Sequence, residues 1–226
     1  MKQLLLIFLL IISSGTYAQK TENPYGLDIM SDPEEYRKAI VQDENQLMVD
    51  LAVFIPGVVL DIRYATDNNF TGKQVYTTAA AFVRKPVAEA LLRVQLELRT
   101  MGLGIKVFDA YRPYRATLKF YEVYPDKSFV AAPWLGSRHN RGAAVDITLI
   151  EIETGEELAM PTPFDDFSER ASPSYMDLPD EIIRNREKLI SIMSKHGFSV
   201  FHTEWWHFDF RGWEQFGLMD VDFSEL

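Results

Sequence analysis

Two short segments of the sequence carry histidine and carboxylate side chains at spacings that suit a metal site. In the segment SRHNRGAAVD, His139 is followed seven residues later by Asp146, and in EWWH, Glu204 stands three residues before His207. The chain has no cysteine, so a zinc ion would have to be bound by histidine and carboxylate. Two imidazoles and one carboxylate, with an open position for water, form a known catalytic zinc site.

The chemistry of such a site gives each residue a role. A zinc ion held by His139, Asp146 and His207 would lower the pKa of its water toward about 7. A carboxylate that does not bind the ion can take the proton of this water during attack on a carbonyl, and Glu204 suits that role. The oxyanion then needs a donor, and Arg112 of the segment FDAYRP lies at the mouth of a predicted strand. These residues predict metal-assisted hydrolysis of an amide or ester.

Single residues allow other interpretations. His202 lies close to His207 in the sequence and competes with it as a ligand. Arg112 could pair with Asp109 in a salt bridge instead of meeting an oxyanion. Each metal motif is short enough to occur by chance, so the prediction depends on finding both motifs in one chain.

The elements that must position these residues follow from the spacing of apolar side chains. Residues 86–101 predict a helix, because a proline opens the segment and Gly102 follows its end. Residues 181–196 predict a second helix, in which His196 complements the C-terminal dipole. Trp205 and Trp206 are expected in the core and in a pocket wall. A further helix is predicted at 114–124, and strands at 104–110, 143–151, 198–201 and 206–211.

The order of these elements predicts an α+β fold in a single domain. Strands follow one another near the C-terminus and the helices are unevenly spaced, which disfavours a regular βαβ alternation. Gly142 and a strand beginning at Ala143 allow the loop to fold the imidazole of His139 back over the carboxylate of Asp146. A shared cation is therefore geometrically possible.

The N-terminus has the pattern of a secretory signal. Lys2 precedes an apolar run at 4–12, which small residues follow up to Ala18. The run is about half the roughly 20 residues that a spanning helix needs, so we expect cleavage rather than a permanent membrane anchor. The predicted organisation is a signal at 1–18, a weakly ordered lead-in at 19–50 and a domain with the catalytic zinc site at 51–226. The mature protein is expected to be exported, either periplasmic or secreted.

Composition excludes some classes of function. The 226 residues include 23 Lys and Arg against 33 Asp and Glu, a formal net charge of −10. Binding to nucleic acid requires clustered positive charge, so a nucleic-acid partner is not expected. Hydrophobic residues at 47% and charged residues at 25% are typical of a globular domain.

The ordered motifs resemble the D-alanyl-D-alanine dipeptidases, zinc metallopeptidases whose wider group includes D,D-carboxypeptidases with a hedgehog-like fold. Five segments carry the resemblance, DIRYATDNNFTGK, FDAYRP, SRHNRGAAVDITL, ETGEELAMPTPFDDF and EWWHF. The resemblance implies a central, mainly antiparallel sheet flanked by helices and one zinc ion per chain. It implies the same site residues that the chemistry suggested: His139, Asp146 and His207 as ligands, Glu204 as general base and Arg112 as the group that stabilises the transition state.

The resemblance also implies residues that spacing alone did not reveal. Asp165 looks like the carboxylate that receives the substrate's free ammonium, with Asp166 as the alternative, and Ser137 and Tyr64 look like pocket residues. The implied reaction is hydrolysis of D-alanyl-D-alanine, a small free dipeptide, to two D-alanines. An exported enzyme would salvage dipeptides released from the cell wall. The alternatives are a D,D- or L,D-carboxypeptidase acting on peptidoglycan stem peptides, and a zinc-binding module of this fold without activity.

Overall fold

Helices and short strands alternate irregularly along residues 23–226, which the structure, a computed structural model, describes. The α-helices are α1 (Pro33–Gln42), α2 (Leu51–Phe54), α3 (Lys85–Arg99), α4 (Tyr114–Val123) and α5 (Asp180–Lys195). The strands are β1 (Ile29–Met30), β2 (Met48–Asp50), β3 (Val59–Leu60), β4 (Phe82–Arg84), β5 (Leu103–Asp109), β6 (Ala144–Glu151), β7 (Phe198–Phe201), β8 (Glu204–Phe210) and β9 (Leu218–Met219).

A sheet with the strand order β3-β5-β6-β8-β7 carries the residues of interest. β3 runs parallel to β5, and the other neighbouring strands are antiparallel. The strands predicted at 104–110, 143–151 and 198–201 are confirmed to within one residue, and the strand predicted at 206–211 begins earlier, at Glu204. The predicted α+β class with a mainly antiparallel central sheet is therefore confirmed.

Strand β6 lies in the middle of this sheet and is covered on both faces. Each of its residues up to Ile150 is buried. Because successive side chains of a strand point to opposite faces, Asp146 lies on the face opposite to Val145 and Ile147. The strand thus packs aliphatic side chains on one side and holds a carboxylate on the other.

Two amphipathic helices, α3 and α5, pack against the sheet and against each other. Pro86 lies in the first turn of α3, where its missing N–H removes no helical hydrogen bond. The three helices predicted at 86–101, 114–124 and 181–196 are confirmed, with ends shifted by one or two residues. The buried face of α3 consists of Val87, Ala88, Ala90, Leu91, Val94, Gln95 and Leu98.

Residues 29–50 carry more structure than the weakly ordered lead-in that the sequence predicted. Asp32 caps α1 by accepting a hydrogen bond from the backbone N–H of Glu34. Tyr36 is buried, and its hydroxyl oxygen accepts a hydrogen bond from the backbone N–H of Met48. β1 pairs with β9 and β2 pairs with β4, so partners distant in the sequence order this polar segment. Such partners leave no trace in local periodicity.

The predicted secretory signal, residues 1–18, lies outside the described residues, as do residues 19–22. Within residues 23–226, no helix combines the length and the apolar character that crossing a membrane requires.

Candidate metal centre and active site

Three side chains from distant parts of the sequence converge beside the sheet. His139, Asp146 and His207 each offer one ligand atom, and these atoms all lie within 4.8 Å of one another. His139 Nε2 lies 3.3 Å from Asp146 Oδ1, and His207 Nδ1 lies 3.1 Å from the same oxygen. All three residues are buried. We call these three residues the metal centre.

A tight turn brings His139 back over the strand that carries Asp146. The 3-10 turn His139–Arg141 ends at Gly142, whose φ is 66°. A Cβ at Gly142 would lie 2.7 Å from Met48 Cε, so the left-handed backbone and the close packing both require glycine. The reversal that the sequence predicted at Gly142 is present, and it brings the imidazole of His139 to the carboxylate of Asp146.

Strand pairing places Asp146 and His207 side by side, because the register of β6 and β8 pairs these two residues directly. An irregularity in the β7–β8 hairpin brings Glu204 to the same place. While β7 advances by one residue, its partners in β8 change from Phe208 to Glu204. The extra residues interrupt the alternation of side chains, so Glu204 and His207 both face one cavity although they are three residues apart. Glu204 Oε2 lies 3.8 Å from His207 Nδ1.

The ring nitrogens that point away from the metal centre are held by hydrogen bonds. His139 Nδ1 donates to the backbone oxygen of Ala110 at 2.6 Å, since a carbonyl oxygen can only accept. His207 Nε2 donates to Asp209 Oδ1 at 2.9 Å. These bonds leave a lone pair on His139 Nε2 and on His207 Nδ1, both directed at the metal centre. Metal-binding histidines are held in their tautomers by outer partners of this kind.

The metal centre fits a zinc ion. Asp146 Oδ1 is buried, and within the described part of the chain the polar groups that face it are the two imidazole nitrogens of the metal centre. A buried carboxylate oxygen in this state is costly unless a cation meets it. The donor set, two imidazoles and one carboxylate, is a composition that holds catalytic zinc with one position open.

Glu204 lies buried beside the metal centre, with 6% of its surface exposed. The pKa of Glu204 is raised to about 8, chiefly by burial and also by the charge of Asp146. The charges of His207 and Arg112 lower this pKa and offset part of the rise. A carboxylate that takes up and releases a proton near neutral pH is suited to general acid–base chemistry.

Arg112 is anchored by Asp109. Its Nε and Nη2 donate to Asp109 Oδ2 at 3.0 and 2.8 Å, and Nη2 lies 3.8 Å from Asp146 Oδ2. The salt bridge that the sequence left open is therefore formed, and it holds Arg112 beside the metal centre. Among the hydrogen bonds of residues 23–226, none uses Arg112 Nη1, so this nitrogen is available to a negatively charged oxygen.

Asp109 reaches the site because β5 is irregular near its end. The register of β5 against β6 shifts between Val107 and Asp109, so Asp109 pairs with Asp146. The hydroxyl of Tyr76 donates to Asp109 Oδ1 at 3.0 Å. Burial raises the pKa of Asp109, although the charge of Arg112 acts against this. Bulges are common beside active sites because they redirect single side chains.

A cavity of about 400 Å³ connects the metal centre with a second set of polar groups. In this second set, Asp165 Oδ1 accepts a hydrogen bond from the hydroxyl of Tyr64 at 2.9 Å. Asp165 Oδ2 accepts one from the backbone N–H of Phe70 at 3.4 Å. We call Asp165 and Tyr64 the amine end, after the role that the family resemblance implies for Asp165. Much of the cavity wall is aromatic: Phe70, Phe120, Phe129, Phe167, Phe201, Trp206 and Trp213.

Asp165 has an unusual backbone conformation and an unusual environment. Its φ is 63°, in the left-handed region that residues other than glycine rarely occupy. Burial raises the pKa of Asp165 to about 7, although the hydrogen bond from Tyr64 lowers it. Its neighbour Asp166 accepts a hydrogen bond from the backbone N–H of Ser168 instead, and Asp165, not Asp166, lines the cavity. Backbone strain of this kind is often found at functional sites.

Ser137 also lines the cavity and is buried. Its Oγ accepts a hydrogen bond from the backbone N–H of His139 at 3.2 Å. Its backbone N–H donates to Asn140 Oδ1 at 2.7 Å, which fixes the residue at the start of the turn. The serine hydroxyl hydrogen remains available to a group in the cavity.

The structure places the other residues that the sequence singled out. His202 is exposed and lies outside the metal centre, so the ligand atoms converge on His207 and not on His202. His196 caps the end of α5 and forms a 2.7 Å hydrogen bond to a carboxylate of α3, as expected of a structural residue. Trp206 lines the cavity and Trp205 is buried beside it.

Sequence reasoning missed Asp209 and Tyr76. Asp209 stands two residues after His207 in β8, and the two-residue period of a strand puts both side chains on one face, so spacing could have revealed it. The contact between Tyr76 and Asp109 joins residues 33 apart in the sequence, and no local signal indicates it.

The chain is similar to several known proteins. A family model described as D-Ala-D-Ala dipeptidase matches residues 44–222. The D-alanyl-D-alanine dipeptidase of Escherichia coli (strain K12) is 35% identical over 177 residues, which cover 78% of this chain and 91% of the relative. That of Enterococcus faecium is 34% identical over 180 residues, covering 70% and 88%. A solved structure, VanYB in complex with D-Alanine-D-Alanine, has a TM-score of 0.41 at 14% identity and covers 62% of this chain and 78% of its own.

Proposed function

Because this chain belongs to the D-Ala-D-Ala dipeptidase family of metallopeptidases, we propose that it hydrolyses free D-alanyl-D-alanine to two molecules of D-alanine. One observation carries the proposal: a single cavity contains the metal centre, Glu204, Arg112 and the amine end. A peptidase that acts on an unblocked dipeptide needs both a group that cleaves the bond and a carboxylate that receives the amine.

The metal centre would hold one zinc ion through His139 Nε2, Asp146 Oδ1 and His207 Nδ1. When bound, zinc supplies Lewis-acid polarisation of a carbonyl and acidifies water. Asp209 and the backbone oxygen of Ala110 keep the two imidazoles turned toward the metal centre, so the ligands need no rearrangement to meet the ion.

Glu204 is the proposed proton carrier. It accepts a proton from the attacking water and passes it to the amide nitrogen that leaves. Its place 3.8 Å from His207 Nδ1 and its pKa of about 8 support this role, since a group with a pKa near the working pH can both accept and donate. Glu204 remains free for this exchange because the ligand set does not include it.

Arg112 is proposed to stabilise the negative charge that develops on the carbonyl oxygen. Asp109 fixes the guanidinium through Nε and Nη2, which leaves Nη1 to donate to that oxygen. The guanidinium also lies 4.7 Å from the ring centroid of Phe120 and 5.3 Å from that of Tyr64. Donors that are fixed before the reaction stabilise developing charge at little reorganisation cost.

Asp165 is proposed to receive the ammonium group of the substrate. Tyr64 donates a hydrogen bond to one of its oxygens and so orients the carboxylate. Ser137 is proposed to contact the dipeptide with its hydroxyl group. A cavity with an anionic end favours a short substrate with a free amine, and we expect its walls to exclude longer peptides by steric conflict.

The experiment compares free D-alanyl-D-alanine with its N-acetylated form. Acetylation removes the positive charge that Asp165 would receive, so the free dipeptide should have the far larger kcat/KM. Equal rates would contradict the dipeptidase proposal and would indicate a carboxypeptidase with a cleft open at the amine end. A panel of the four stereoisomers of alanyl-alanine tests the stereochemical preference in the same assay.

Removal of the metal tests the cofactor. Treatment with o-phenanthroline should abolish hydrolysis, and added zinc should restore it, because the proposed mechanism depends on the metal ion to activate the water. Zinc content per chain, measured on the same samples, should fall and recover in parallel. Full activity in a zinc-free sample would overturn the metal-dependent mechanism.

We also propose that the protein acts outside the cytoplasm, on dipeptides released from the cell wall. The support is the sequence pattern of residues 1–18. Mass spectrometry of the protein recovered from cell fractions tests this. A mature chain that begins near Gln19 in an extracytoplasmic fraction is expected, and an intact Met1 in the cytoplasm would refute it.

A further inference from the structure

Two guanidinium groups border the same cavity near the indole of Trp213. The guanidinium carbon of Arg138 lies 4.9 Å from the ring centroid, and that of Arg141 lies 5.2 Å from it. All three residues line the cavity that contains the metal centre. This part of the wall therefore carries two guanidinium groups that the proposed reaction does not use.

Contacts connect Arg138 and the amine end to different ligands of the metal centre, Arg138 to His207 and the amine end to Asp146. His207 Nε2 donates to Asp209 Oδ1, and Arg138 Nε lies 3.7 Å from Asp209 Oδ2. Arg112 lies between Asp146 and the ring of Tyr64 in the amine end. A molecule that spans the cavity past the metal centre would have a carboxylate at one end and Arg138 at the other.

Of the guanidinium groups at this cavity, Arg138 has the most unused donors. Asp109 occupies two nitrogens of Arg112, and the backbone oxygen of Phe216 accepts from Arg141. Within residues 23–226, no hydrogen bond uses the guanidinium of Arg138, whose ion pair with Asp209 is long at 3.7 Å. The Arg138 side chain is 39% exposed, so a solute can reach it.

A free dipeptide is a zwitterion, with an ammonium at one end and a carboxylate at the other. If the ammonium lies at Asp165, the scissile carbonyl faces the metal centre and the carboxylate continues past it. A planar guanidinium can bind a carboxylate through two parallel hydrogen bonds. Its aromatic contact with Trp213 favours a flat orientation of Arg138 along the wall.

We propose that Arg138 binds the C-terminal carboxylate of the dipeptide and so makes a free C-terminus a second requirement for the substrate. This inference rests on the proposed function and extends it. The ammonium of the substrate would then pair with Asp165 and its carboxylate with Arg138, with the metal centre between them. The separation of Asp165 and Arg138 would select the length of the substrate, in addition to the size of the cavity.

The test combines a variant with a change of substrate. For the unaltered enzyme, D-alanyl-D-alanine amide, which lacks the carboxylate charge, should have a kcat/KM about 10- to 100-fold lower than the free acid, as expected for loss of a charge-assisted hydrogen bond. The variant Arg138→Met keeps most of the side-chain length and removes the charge. It should raise the KM for the free acid by a similar factor, with a smaller change in kcat, and should barely affect the amide.

Lys127→Met is the matched control. Lys127 also lines the cavity, but it lies in the loop whose Phe129 stacks on Phe167, near Asp165. Its removal should leave the ratio of acid to amide rates unchanged. Arg138→Lys retains a cation and should keep part of the preference for the acid, and it serves as the second variant if Arg138→Met fails to fold.

The possible outcomes are distinct. An unchanged ratio of acid to amide rates in Arg138→Met, with zinc-dependent hydrolysis of D-alanyl-D-alanine intact, would overturn this inference and leave the proposed function standing. The same loss of preference in Lys127→Met would show a general effect of positive charge and would also overturn it. If the unaltered enzyme hydrolyses neither compound, both this inference and the proposed function fail.

Discussion

The metal centre and the amine end each hold a buried aspartate, but the pKa values of the two carboxyl groups are shifted in opposite directions. Burial raises the pKa of both carboxyl groups. At the metal centre, His139 and His207 outweigh this effect and hold the pKa of Asp146 well below its usual range. At the amine end, the hydrogen bond from Tyr64 is too weak to compensate, and the pKa of Asp165 stays raised, at about 7.

The backbones that carry the two aspartates also differ. Asp146 lies near the start of β6 and is paired with a strand on each side, whereas Asp165 lies in a loop with a φ of 63°. The metal centre is therefore complete within the chain except for its ion. The amine end retains an uncompensated carboxylate, and a substrate ammonium would supply the missing charge. Binding of the substrate would relieve a cost that the folded protein bears.

The largest effect is expected on the metal-centre side of this comparison, from Glu204→Gln. The amide retains the shape of the side chain and cannot accept the proton, so kcat should fall by about 10²- to 10⁴-fold. Zinc content should remain one per chain, since Glu204 is not in the ligand set. Steady-state kinetics and metal analysis on one sample check both statements.

Glu214→Gln provides the control, because Glu214 is exposed in a short turn and should have no effect on either quantity. Hydrolysis at an undiminished rate by Glu204→Gln would refute the assigned proton carrier.

A smaller effect is expected from Asp209→Asn, which removes the negative charge that orients His207 toward the metal centre. The amide can no longer hold the Nε2 proton of His207 with a full negative charge, so zinc affinity should fall by about 10- to 100-fold. Competition with a chelator of known affinity measures this. Activity should recover in excess zinc. Wild-type affinity in this variant would mean that His207 is held by packing alone.

At the amine end, Asp165→Asn should raise the KM for D-alanyl-D-alanine by about tenfold or more, because an ion pair with the substrate ammonium is lost. Hydrolysis of N-acetyl-D-alanyl-D-alanine, slow in the unaltered enzyme, should not slow further. Asp166→Asn is the matched control, since Asp166 bonds within its own loop and does not line the cavity. Equal effects of the two substitutions would remove the distinction between the neighbouring carboxylates.

The smallest expected effect is on thermal stability, and its pH dependence distinguishes the amine end from the metal centre. The folded-state pKa of Asp165 lies above its unfolded value, so ionisation destabilises the native state increasingly between about pH 4 and 7. Asp165→Asn should therefore have a Tm close to that of the unaltered protein at pH 4.5 and a Tm several degrees higher at pH 8. Thermal unfolding at the two pH values measures the difference.

The reverse is expected at the metal centre, where the pKa of Asp146 is lowered and loss of its charge destabilises the protein. A Tm difference for Asp165→Asn that does not change with pH would contradict the electrostatic account of the amine end.

The sequence alone determined the chemistry and most of the elements. The types of residue at His139, Asp146, Glu204 and His207 favoured metal-assisted hydrolysis, because few side chains bind zinc and the chain has no cysteine. Helices and strands were predictable to within about two residues where apolar spacing was regular, as in α3. The order in residues 29–50 was not predictable, because strands β1 and β2 find their partners far along the chain.

Only the tertiary structure decided how these residues meet. The facing nitrogens of His139 and His207 are 3.1 Å apart across 68 residues of sequence, a distance that the turn at Gly142 and the pairing of β6 with β8 fix together. Two strand irregularities turn Asp109 and Glu204 into the site against the usual alternation. The physical reason is that the identity of a side chain states which bonds it can form, whereas register and bulges, set by the packing of the whole sheet, decide which partners lie within reach.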